Sequence, residues 1–230
     1  MNKDPALRFS ILVASLFVFL IWWIKLSETL FGWDLHHLGV YPQAFSGLIG
    51  IATGPLIHGS WSHVIGNTLP ILLLGSLLIY GYPRSRWWTL AIIWLVSGLG
   101  VWLFGRESYH FGASGLTHGM FFYLLTGGLI RRDKRSIVLL MVAFFMYGGM
   151  LLTILPREPD ISYEYHLFGA LGGLLCALGF RNWDPKLADK TYAWEQQAED
   201  EQDPIIGDQW KMEPPPDTRQ RCDDYQGRLE

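Results

Sequence analysis

The chain has 230 residues, 50% of them hydrophobic and 15% aromatic with 11 Trp, but only 17% charged. An ordinary water-soluble domain carries about a quarter charged residues, so the composition excludes a soluble enzyme, and it excludes a nucleic-acid binder because no basic face is available. The net charge of −3 is uneven: residues 1–180 hold 11 basic and 8 acidic side chains, residues 181–230 hold 7 and 13.

A membrane-spanning helix needs roughly 20 mostly apolar residues, because the hydrocarbon layer is about 30 Å thick and each residue rises about 1.5 Å. After a short amino-terminal segment at 1–8, a first span is expected at 9–29. Trp22, Trp23 and Lys25 follow its apolar run with no small-residue cleavage site, so it reads as an anchor, with Lys25 snorkelling to the interface. A long outer loop follows at about 30–60. Five more spans are expected at 61–80, 87–104, 113–130, 137–155 and 163–180, which makes the fold class an all-α polytopic membrane protein with its domain at 9–180. Residues 181–230, with Pro214, Pro215, Pro216 and many acids, read as an acidic disordered tail.

Lys and Arg near span ends stay on the cytoplasmic side. Lys3, Arg8, Arg84, Arg86, Arg131, Arg132, Lys134 and Arg135 occupy one side, against Arg106 and Arg157 on the other, so both termini are expected in the cytoplasm. Trp22, Trp23, Trp87 and Trp88 suit an interfacial belt. Cys176 and Cys222 lie too far apart in this topology to pair. No internal repeat points to an inverted-repeat transporter.

Polar side chains inside spans are functional hypotheses by default. Counting from the cytoplasmic helix ends, His63 lies roughly 26 Å from Tyr80, Ser114 roughly 24 Å from Ile130 and His166 roughly 21 Å from Phe180. The three therefore share one level in the outer half of the bilayer. Gly115 and Gly119 on the fourth span and Gly169 and Gly173 on the sixth form small-xxx-small faces that let backbones approach. Ser114 and His166 can then reach hydrogen-bonding distance.

A serine alcohol becomes nucleophilic when an adjacent base takes its proton, and an imidazole with an ordinary pKa of about 6.5 is mostly neutral at pH 7. The oxyanion formed on attack needs aimed donors. The available ones are the Ser114 backbone N–H and the side chains of His63 and Asn67, which share a helix face at i and i+4. No acid accompanies the pair, so the arrangement is a Ser-His dyad.

Each residue also has a plainer role: interhelical packing for Ser114, a satisfied hydrogen bond for His166, helix glue for His63 and Asn67. His118, one turn after Ser114, either stacks on His166 or acts as a polar spacer. His36, His37, His58 and His110 read as solvated or interfacial loop histidines, since no H-E-x-x-H or carboxylate-rich set accompanies them. No metal and no cofactor is expected. A polar rim for water around Thr53, His58, Ser60 and Ser62 is also expected.

The segments HGSWSHVIGNTLPILLLG (58–75), GRESYHFGASGLTHG (105–119) and EYHLFGALGG (164–173) resemble the rhomboid intramembrane serine proteases, in the family's order and over roughly residues 40–180. The triple match of H-x-x-x-N, G-x-S-G and H-x-x-G-x-x-x-G carries the resemblance. It implies Ser114 as nucleophile, His166 as base, His63, Asn67 and the Ser114 N–H as oxyanion donors, and His58 as a structural or water-associated residue. Gly112, Gly115, Gly169 and Gly173 support them. It further implies six spans as in the minimal bacterial form, a bacterial inner-membrane location, and transmembrane protein substrates with small residues at the cleavage site. Lateral access near the second and fifth spans and a cap at about 156–162, with Pro156 and Pro159, are implied too. Two departures stand out: the first loop lacks the family's frequent Trp-Arg pair, and His118 replaces a commonly found Tyr that stacks on the base. A catalytically inactive client-binding scaffold and a small transporter or channel stay as alternatives. The intact Ser114 and His166 argue against the first, and the lack of charges within the spans argues against the second.

Overall fold

A computed structural model describes residues 4–156 and 162–186. Their regular structure comprises α1 (Pro5–Phe31), α2 (Ile49–Thr53), α3 (Trp61–Gly81), α4 (Arg86–Phe104), α5 (Ser114–Arg131), α6 (Lys134–Tyr147), α7 (Met150–Thr153) and α8 (Tyr163–Gly179), with short 3-10 turns in the 36–56 region. Val40 and His110 form an isolated antiparallel bridge.

Helices begin where a side chain can take the backbone donors of the first turn. Asp4 accepts from Ala6 ahead of Pro5 in α1, Ser60 from His63 in α3, Asp133 from Ser136 in α6 and Ser162 from Tyr165 in α8. Helix α5 differs: Ala113 supplies no capping side chain, and the helix opens at Ser114.

Helices α1, α3 and α4, of 27, 21 and 19 residues, are long and apolar enough to cross a membrane. Helices α5, α6 and α8, of 18, 14 and 17 residues, do not reach that standard. For α5 the reason is its position: it touches α3, α4, α6 and α8 and faces protein more than lipid, so its composition need not be apolar throughout.

Helix α8 packs against both α4 and α5. A Cβ on Gly169 would overlap the Gly115 carbonyl oxygen, and one on Gly173 the Gly119 carbonyl oxygen, so the α5–α8 contact is a backbone-to-backbone approach, as the glycine spacing led us to expect. On the other side Gly172 meets Ile93 and Val96 of α4. Leu74, Leu78, Met120, Phe121, Leu124 and Cys176 fill the core between the helices. Helix α1 lies on α3, where Trp22 Nε1 donates to Thr68 Oγ1 at 2.9 Å. The 32–60 segment is tied to α4 by the indoles of Trp94 and Trp102, which donate to the carbonyls of Ile51 and Ala44 at 2.9 and 3.0 Å.

Several expectations need correction. The 137–155 region is not one helix: α6 stops at Tyr147, and the Gly148–Gly149 pair, poor in helix propensity, separates it from α7. Lys25 does not snorkel. It is buried, pairs with buried Glu28 at 2.8 Å, and its Nζ lies 3.3 Å from the Gly59 carbonyl. The spans are thus not free of charge. Arg131 is likewise buried, with Nε bonded to Asp133 and Ser136 and Nη1 to the carbonyls of Arg181 and Asp184. The packed domain also runs past residue 180: buried Asp184 accepts from the Arg84 N–H at 2.7 Å and from Ser85 Oγ at 2.5 Å. Residues 1–3, most of the expected cap with Arg157 and Pro159, and the tail from 187 with Cys222 lie outside the described residues.

Candidate active site

The first turns of α3, α5 and α8 and the end of α7 border a cleft of about 770 Å³. His63 is the third residue of α3, Ser114 the first of α5, and His166 the fourth of α8. All three line the cleft together with Asn67, His118 and Thr153.

Ser114 owes its place to the turn before it. Gly112 has φ 114°, and a Cβ there would sit 2.5 Å from His63 Cε1. Glycine therefore serves both the positive φ and the close approach of the His63 ring. Behind this turn His58 is 1% exposed; its Nε2 accepts from the Ala113 N–H at 3.4 Å and its Nδ1 lies 3.3 Å from the Leu56 carbonyl. Burial, reinforced by His63, pushes its pKa down to about 3, so it is a neutral buttress with its proton on Nδ1.

His166 Nδ1 lies 3.0 Å from the Thr153 carbonyl oxygen, and its ring stacks on His118 with centroids 3.8 Å apart and planes 9° apart. His118 in turn reaches the Ser114 carbonyl through Nδ1 at 2.7 Å and Thr153 Oγ1 through Nε2 at 2.8 Å. Asn67 spends one amide hydrogen on the His63 carbonyl at 3.0 Å and keeps a second. Pro70, one turn on, has no N–H for the Gly66 carbonyl, and both residues line the cleft.

The fold thus gathers Ser114, His166, His63, Asn67 and His118 at one cleft and uses Gly115, Gly169 and Gly173 for the helix contact behind it. Among the described residues no hydrogen bond joins Ser114 to His166. Among the described residues no Asp or Glu borders the cleft; Glu164, two residues before His166, instead faces Arg106 at 3.3 Å. Among the described residues no group of three His, Cys, Asp or Glu side chains could hold a metal.

The expected rim is half right. Ser60 and Ser62 line the cleft, their hydroxyls 2.8 Å apart, whereas Thr53 belongs to a separate apolar groove of about 310 Å³ and His58 is enclosed. His58 and His110 are not solvated loop histidines: His110 is 1% exposed, its Nδ1 2.6 Å from Ser162 Oγ, and burial lowers its pKa. His36 and His37 are the exposed pair, His36 lying 2.7 Å from Asp34. Sequence reasoning missed Thr153. The only trace of it was the Gly148–Gly149 pair that ends α6 and frees the chain to turn toward the cleft.

Residues 46–183 match the family model described as Rhomboid domain. An uncharacterized protein of Mycobacterium tuberculosis is 39% identical over 171 residues, covering 70% of this chain and 71% of the relative. An uncharacterized protein of Mycobacterium leprae is 34% identical over 171 residues, covering 70% and 67%. The chain belongs to the rhomboid family and is an integral membrane protein.

Proposed function

We propose that this protein is an intramembrane serine protease that cleaves transmembrane segments of other membrane proteins with a Ser114–His166 dyad. The observation that carries the reading is the shared cleft: an alcohol at an uncapped helix start and an imidazole held on its Nδ1 side border the same space. In the reaction Ser114 Oγ attacks the scissile carbonyl as His166 Nε2 takes its proton. The Ser114 N–H, Asn67 and His63 donate to the oxyanion. Collapse breaks the C–N bond, the leaving amine takes the proton from His166, and a water molecule activated by the same imidazole hydrolyses the acyl-enzyme.

The family match, the three long apolar helices and the basic residues around the α3–α4 and α5–α6 connections support six spans with both termini cytoplasmic, in a bacterial inner membrane. The acidic segment beyond 186 is then a cytoplasmic tail. No cofactor is required.

A fluorophosphonate probe tests the assignment. Detergent-purified wild type should label and should cleave a membrane substrate, Ser114→Ala should do neither, and labelling that survives the substitution removes the nucleophile. The missing Ser114–His166 hydrogen bond favours a second reading, an inactive client-binding scaffold. Apo sites often lack catalytic hydrogen bonds that tighten with substrate; a wild type that neither labels nor cleaves decides for the scaffold.

A further inference from the structure

We propose that Thr153 is the positioning residue of this site, holding both stacked imidazoles through two different atoms; the catalytic meaning of this rests on the protease reading of Ser114 and His166. A carbonyl oxygen only accepts, so the 3.0 Å contact between His166 Nδ1 and the Thr153 carbonyl puts the proton on Nδ1 and leaves Nε2 with a bare lone pair. The same logic applies to His118. Its Nδ1, 2.7 Å from the Ser114 carbonyl, carries the proton, so in the neutral ring Nε2 is an acceptor and Thr153 Oγ1, 2.8 Å away, is the donor. The Thr153 hydroxyl has one hydrogen and a rival acceptor, the Met150 carbonyl at 3.2 Å; the shorter contact goes to His118.

One residue thereby sets the tautomer of the base through its backbone and the orientation of the supporting ring through its side chain. A neutral carbonyl fills the place that a carboxylate takes in a three-membered catalytic set, and it does so without burying a charge. Thr153 arrives there because the chain breaks at Gly148–Gly149 and restarts as α7.

The two holds are separable. Thr153→Val removes the hydroxyl and keeps the carbonyl. It should lower kcat about fivefold to tenfold, the worth of one hydrogen bond, with KM changed by less than about twofold. Thr153→Ser should restore the rate. In a His118→Phe background, where the hydroxyl has no imidazole to hold, Thr153→Val should add no further loss. Nitrogen-15 spectra of histidine-labelled wild type, assigned by the His166→Gln difference, should show Nδ1 of His166 protonated and Nε2 bare, and Thr153→Val should leave that pattern intact. A Thr153→Val enzyme as fast as wild type, a serine variant as slow as the valine one, or losses that multiply with His118→Phe would overturn the proposal. A His166 protonated at Nε2 in the wild type overturns it without any activity measurement. Because the spectrum does not depend on turnover, a failed protease reading and a failed positioning role give different results.

Discussion

The carbonyl oxygen of Gly115 occupies the place where a Cβ on Gly169 would stand. This contact sets how near α5 comes to α8, and with it the separation between Ser114 and His166. Gly169→Ala forces the two backbones apart and should cost about 1–3 kcal/mol of stability, with a loss of cleavage activity. Gly179, whose Cβ would meet nothing within 4 Å, is the control: Gly179→Ala should be neutral or stabilising by up to about 1 kcal/mol. Thermal unfolding in detergent compares them, and equal effects would mean that the close approach is not rigid.

Lys25 and Glu28 form a buried pair whose ammonium also reaches the Gly59 carbonyl, on the segment that leads into His63. Removing one member leaves the other charge uncompensated, so Lys25→Met should destabilise by about 3–5 kcal/mol. The double variant Lys25→Met with Glu28→Leu should recover most of that loss, because replacing a whole buried pair by apolar residues is often neutral. A double variant as unstable as the single one would assign the effect to the Gly59 contact.

Asn67 has one amide hydrogen committed to the His63 carbonyl and another for the cleft. As an oxyanion donor it should act on kcat. Asn67→Ala should slow turnover by about 10²–10³ with KM little changed, while a rate within about twofold of wild type would reduce Asn67 to a packing residue.

His58 gives a pH signature. Its pKa in the folded protein is about 3, pushed down first by burial, while the unfolded imidazole titrates near 6.5. Between those values the unfolded chain binds more protons, so stability is full above about pH 6.5 and falls as pH drops toward 3. His58→Gln keeps an acceptor for Ala113 and removes this titration. The melting-temperature gap between wild type and His58→Gln, measured from pH 7 to pH 4, should shrink with acidification. A constant gap would mean that His58 is not held neutral. His110, also buried with a lowered pKa, leaves both proteins a residual slope of the same sign.

Sequence alone made the helices at 61–81, 86–104 and 114–131 legible to within a residue or two, because long apolar runs between basic clusters have few other folds available. The glycine faces were legible as well, since small residues at four-residue spacing have few other uses in a helix. What escaped notice depends on partners far along the chain. Beyond its near neighbour Glu28, Lys25 is held by the Gly59 carbonyl, and beyond Asp133 and Ser136, Arg131 is held by the carbonyls of Arg181 and Asp184. In each case a charge expected to seek water is consumed by a contact that spacing does not announce. Thr153 was hidden for a different reason: its contact to His166 uses a backbone atom that every residue carries, so no residue type marks it.

Asp184 fastens the stretch after α8 to the start of α4 through the amide of Arg84 and the hydroxyl of Ser85, and its own carbonyl is gripped by Arg131. The polypeptide is therefore moored to the helices a few residues before the acidic extension begins. Whatever is grafted beyond Lys186, whether a fluorescent reporter or an affinity handle, hangs from a fixed post, and a tug on it is borne by that mooring before it can reach the helix that carries His166.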